Sequence, residues 1–144
     1  MGLFLAGSLA AAPALTGCAH YAVYGPASYD HGGVEIITQK LEYRSHKLRL
    51  RFTFVNHTDQ EIVVDRNQIT IAYADGAEVG RAVGRFGHVT SGRHKIRAGE
   101  SHAVHLDFEV DDDPPVKLKL KVNGVLADGA EIELPDYPLE IEQE

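Results

Sequence analysis

Leu48-Arg49-Leu50-Arg51-Phe52-Thr53-Phe54-Val55 is the stretch that decides how the chain is read. Apolar side chains take every second position, with Arg49, Arg51 and Thr53 between them. A strand sends alternate residues to opposite faces, so this period of two predicts one face in a core and one in water. At the roughly 100° per residue of a helix the same letters would be spread around the whole circumference.

The same alternation recurs on both sides. Val34 to Tyr43 predicts a preceding strand, with a phase change or bulge at Ile36-Ile37. Arg44-Ser45-His46-Lys47 turns the chain, and Asn56-His57-Thr58-Asp59 is a second turn cluster. Ile62-Val63-Val64, then Ile69, Ile71 and Tyr73, give two more strands, the latter running into Asp75-Gly76 with Ala77 to Val79 returning. Gly80 to His94 breaks the pattern with four glycines and reads as a long loop with a short strand around Val89. Lys95-Ile96-Arg97 and an Ala98-Gly99 turn precede Val104, Leu106, Phe108 and Val110, which alternate with His105, Asp107 and Glu109. After Asp111-Asp112-Asp113-Pro114-Pro115, Val116, Leu118, Leu120 and Val122 alternate with three lysines. Asn123-Gly124 is expected as a type I′ hairpin and Asp128-Gly129 as another turn, with Ile132 and Leu134 in the last strand.

No stretch after residue 33 has helical periodicity. Seven to nine short strands predict an all-β, antiparallel β-sandwich with immunoglobulin-like or Greek-key connections over residues 34–135. Residues 136–144 read as an acidic C-terminal tail. The strand end Phe52-Thr53-Phe54-Val55-Asn56-His57-Thr58, the Asp75-Gly76 hairpin and Ile96 to Ser101 together resemble small Ig-like domains of bacterial lipoproteins. That resemblance covers about residues 45–122 and speaks to fold, not to function.

The N-terminus has its own character. Residues 1–17 carry no charged side chain. Leu3 to Leu15 has the length of a signal-peptide h-region, too short to span a bilayer. The run ends in Leu15-Thr16-Gly17-Cys18, which resembles the lipobox of bacterial lipoproteins. The resemblance implies removal of residues 1–17 as a lipoprotein signal peptide and lipidation of Cys18. It also implies a cell-envelope location, at the outer membrane facing the periplasm in a Gram-negative cell, since Ala19 rather than Asp follows the cysteine. Two or three acyl chains hold a protein to a membrane far better than one. Cys18 is the only cysteine, so it cannot close an intramolecular disulfide. Residues 18–33, with four glycines and prolines and three spaced tyrosines, read as the lipidated cysteine and a flexible tether.

Charge is unevenly spread over the chain's formal −7. Residues 80–99 hold five basic and no acidic side chains, whereas residues 100–144 hold three basic and thirteen acidic ones. A net acidic domain is a poor nucleic-acid binder. The basic island comprises Arg81, Arg85, Arg93, Lys95 and Arg97 around Phe86. Arginine forks suit phosphate or carboxylate groups, so these six residues are the expected contacts for an anionic envelope component or envelope protein. The glycines there lack the Gly-Lys-Ser/Thr ending of a phosphate-binding P-loop.

Other chemistries are thinly supported. Four of the eight histidines, His88, His94, His102 and His105, fall close together in the sequence. They give the alternative reading, a periplasmic copper- or zinc-binding protein. His102-x-x-His105 has the wrong spacing for one face of a strand. Asp111 to Asp113 lacks the EF-hand pattern and reads as a solvated turn. Neither a G-x-S-x-G elbow nor a paired nucleophile and base is present, so no catalytic residue and no cofactor is expected, and a hydrolase ranks last.

Overall fold

Leu48, Leu50, Phe52 and Phe54 turn inward along β4 (Lys47–Asn56), each at most 2 % exposed, as the alternation requires. The computed structural model describes residues 20–82 and 92–144. In it β4 lies at the centre of a five-stranded antiparallel sheet. Its neighbours are β3 (Val34–Arg44) and β9 (Ser101–Glu109), with β2 (Ser28–His31) and β7 (Gly80–Arg81) at the edges. A second sheet orders β1 (Tyr21–Tyr24), β13 (Tyr137–Gln143), β10 (Val116–Val122) and β6 (Ile69–Tyr73). The two pack through their apolar faces, with the Phe52 and Tyr137 rings 5.4 Å apart near edge-to-face.

A third ladder, β12 (Ala130–Glu131), β11 (Val125–Ala127), β5 (Ile62–Asp65) and β8 (Arg93–Ile96), continues the second sheet past a corner. The same two chain segments pair on both sides of it: Val122 opposite Ile69, then Val125 opposite Val64. A 3₁₀ turn at Arg66–Gln68, capped by the Asp65 carboxylate, bends one segment. Asn123-Gly124 bends the other, and Asp65 N–H donates to the Gly124 carbonyl across the corner at 2.9 Å. Asn123-Gly124 is therefore a strand that changes sheets, not the expected hairpin. Its positive φ serves the bend. The two-residue turns of type I′ character are instead Gly32-Gly33, Ser45-His46 and Asp128-Gly129, all with φ > 0.

The sandwich is all-β and antiparallel, with thirteen strands among the described residues instead of seven to nine. Part of the surplus comes from both ends of the domain. The expected tether contains β1 and β2, and the expected tail is β13, whose Tyr137, Leu139 and Ile141 are buried. Pro138 hides that alternation, because proline removes a ladder donor. It is tolerated because β1 pairs with β13 only over Glu140 to Gln143, leaving Pro138 paired on the β10 side alone. The register break in β3 falls between Thr38 and Lys40, just past the Ile36-Ile37 step. Among the described residues no helix is long and apolar enough to cross a membrane. Cys18 and the strand expected around Val89 lie outside the described residues.

Candidate functional site

Of the basic island, Arg81, Arg93, Lys95 and Arg97 are described; Arg85 and Phe86, like His88, lie outside the described residues. Arg81 sits on edge strand β7, opposite Phe108 in the register, and its guanidinium lies 4.9 Å above that ring. One of its terminal nitrogens donates to the carbonyls of Ile69 at 2.6 Å and Arg66 at 3.1 Å. Burial, and secondarily Arg66, pulls its pKa below the usual arginine value, since both penalise the charged form. Arg81 thus commits one guanidinium nitrogen to the backbone carbonyls of Arg66 and Ile69.

Arg93 and Lys95 differ. They alternate with His94 and Ile96 on β8, the edge of its ladder, and both are exposed, as is Arg97 beyond the strand. Arg93 Nε stands 3.7 Å from Asp65 Oδ2; with the guanidinium largely in water, this long contact carries small energetic weight. Three cations therefore line the outer edge of that ladder, as ordered among the described residues, and its exit. Such an edge can meet an anionic partner, or simply repel a stray strand.

The histidines do not gather into one ligand set. His94 and His102 stack with ring centroids 4.2 Å apart and an interplanar angle of 28°. Burial lowers the His94 pKa, with His102 and Arg66 adding to the shift and Asp65 opposing it. A ligated metal lies in the plane of each imidazole, so two nearly parallel rings aim at different points. His105 is exposed opposite Arg51, while Val104 and Leu106 beside it are buried. The described three of the four histidines do not converge.

Sequence reasoning misses a different cluster. Asp30, Glu35 and His57 each bring one ligand-type atom to within 4.8 Å of the others. His57 Nε2 lies 2.8 Å from Glu35 Oε1. Reading residues 18–33 as a tether conceals Asp30 and with it the group. The signal that could reveal it is Gly32-Gly33, a two-residue hairpin loop that sets Asp30 opposite Glu35.

The fold has known counterparts. The chain is similar to the yjhA protein of Bacillus subtilis, at 10 % identity over 66 % of this chain and 77 % of that one, TM-score 0.50. It is also similar to a Bacillus subtilis "putative lipoprotein (ycdA)", at 12 % identity and TM-score 0.57, covering 82 % of this chain but 38 % of that one. A looser match, TM-score 0.40, is an uncharacterized β-sandwich protein of Clostridium difficile 630, at 17 % identity over 72 % and 85 % of the two chains. At these identities the likeness is one of fold. No family model matches the sequence, and no curated protein matches it.

Proposed function

We propose that this is a lipid-anchored cell-envelope protein whose β-sandwich serves as a non-enzymatic binding or structural module. The observation that carries the reading is Leu15-Thr16-Gly17-Cys18 at the end of a charge-free run, with the first strand of the sandwich beginning at Tyr21. Likeness in fold to ycdA, which carries the description "putative lipoprotein", supports it. In a Gram-negative cell the protein would sit at the outer membrane and face the periplasm. The contact surface of this reading is the cationic edge of β8, Arg93 and Lys95 with Arg97, with Arg81 in a supporting place; Arg85 and Phe86, expected contacts from the sequence, lie outside the described residues. Its partner is an anionic envelope component or an acidic envelope protein.

Intact-mass analysis of the protein from its native host tests the anchor. Loss of residues 1–17 together with an added diacyl- or triacyl-glyceryl mass at Cys18 is expected; an unmodified chain beginning at Met1 refutes it. The contact surface is tested separately with Arg93→Ser/Lys95→Ser/Arg97→Ser, which should weaken retention by envelope fractions at low salt. Unchanged retention excludes that edge.

A further inference from the structure

The antiparallel register of β2 and β3 places Asp30 directly opposite Glu35 on one face of the sheet. Like charges at directly opposed positions destabilise a sheet, and a bound cation would offset that repulsion. Among the described residues neither carboxylate faces a lysine or arginine; the side chain hydrogen-bonded to Glu35 is His57. His57 reaches the same face because Glu35 is opposite Val55, and residue 57 lies two further along the chain.

The geometry points to a divalent metal site formed by Asp30, Glu35 and His57, for a zinc-class cation. Their three ligand atoms lie within 4.8 Å of one another. Tetrahedral coordination at ~2.0–2.1 Å sets ligands about 3.4 Å apart, a spacing that small side-chain rotations reach from here. One imidazole with two carboxylates favours a d-block ion over calcium or magnesium, which prefer oxygen alone. Glu35 is half-buried while Asp30 and His57 are exposed, so water can complete the coordination.

The scaffold beneath is fixed from several directions. His57 N–H donates to the Gly33 carbonyl at 2.8 Å, tying the histidine's backbone to the hairpin that carries both acids. Asn56, wholly buried, is held by the Gln60 and Ile96 carbonyls, and Thr58 bonds back to it. Ligands on strand ends joined this way need little reorganisation to close on an ion. The site uses none of the residues of the proposed anion-contact edge, and stands or falls apart from it.

Isothermal titration of the untagged full-length chain with zinc chloride is the test. Saturable one-to-one binding is expected, weakened tenfold or more in Glu35→Gln and in His57→Gln and unchanged in His94→Gln. Asp30→Asn carries the same test should either of those variants fail to fold, and should raise the melting temperature of the metal-free protein by relieving the opposed charges. No saturable zinc binding, binding unaltered by these substitutions, binding that follows His94→Gln instead, or effective competition by equimolar calcium would each overturn the assignment.

Discussion

The buried amide of Asn56 donates to the Ile96 carbonyl at 2.9 Å, fastening the end of β4 to the end of β8. It donates also to the Gln60 carbonyl at 2.7 Å, while its oxygen accepts from Thr58 N–H at 2.9 Å and Thr58 Oγ1 at 2.6 Å. Asn56 is the one buried polar side chain among the described residues, and it is well satisfied. Removing one partner from such a network leaves the others desolvated and unpaired. Asn56→Ala should therefore cost about 2–3 kcal/mol, summed over the several bonds lost, read as a lower denaturant midpoint at unchanged m-value.

The glycines make a graded prediction. Gly33 has φ +82° and a Cβ there would stand 2.7 Å from Thr58 Cγ2; at Gly124, with φ +77°, it would stand 2.9 Å from Gln68 Cβ. Gly76 has φ +94° with open space around it. Gly76→Ala should cost only the left-handed backbone penalty, roughly 1–2 kcal/mol, while Gly33→Ala and Gly124→Ala add a steric clash and should cost more. Equal losses at all three, measured by urea unfolding, would mean the contacts are irrelevant.

Arg81 and Arg93 should separate in a stability assay, although both belong to one basic stretch. Arg81→Met forfeits hydrogen bonds to two carbonyls and the Phe108 ring contact. The expected loss is about 1–3 kcal/mol. Arg93→Ser should change stability by no more than ~0.5 kcal/mol. Thermal denaturation of the two variants side by side checks this.

Acid and alkali should each have an identifiable target. The His94 pKa is lowered, chiefly by burial, so the folded protein binds fewer protons than the unfolded chain around that value. Stability held above pH ~6.5 should decline as pH falls through the depressed folded value, and His94→Gln should flatten that slope.

At the other end, burial pushes the Tyr137 phenol up to about 12, and Tyr29 is raised further by burial, Tyr137 and Asp136. Tyr137 Oη donates to the Pro26 carbonyl, which also accepts from Thr38 Oγ1 at 2.7 Å. Ionisation is resisted in the fold, so stability should fall as pH rises from ~10 towards ~12, with phenolate absorbance appearing together with unfolding. Tyr137→Phe should make that decline shallower.

How much of this can be read in advance depends on where each signal is local. The core strands are legible because Leu48 to Phe54, Val104 to Val110 and Val116 to Val122 declare their inner faces residue by residue. β1, β2 and β13 are not, since Gly25, Pro26 and Pro138 mimic a linker and only pairing partners at the far end of the chain make Tyr21 to Tyr24 a strand. Asn123-Gly124 has hairpin chemistry, yet the 3₁₀ turn beside it claims its positive φ for a bend. The opposite faces of His102 and His105 follow from parity alone. The meeting of Asp30 with His57 does not, because it needs β2, β3 and the end of β4 in their final register.

The pairing of β1 with β13 has a mechanical consequence. Only Ala19 and His20 intervene between Cys18 and Tyr21. Extended, that stretch reaches about 10 Å. With its thiol acylated as proposed, the domain would ride on a short leash, flush against the headgroups, instead of swinging on a stalk. The pull of the lipid would bear on the rim of one sheet, leaving the molecule a narrow choice of tilt.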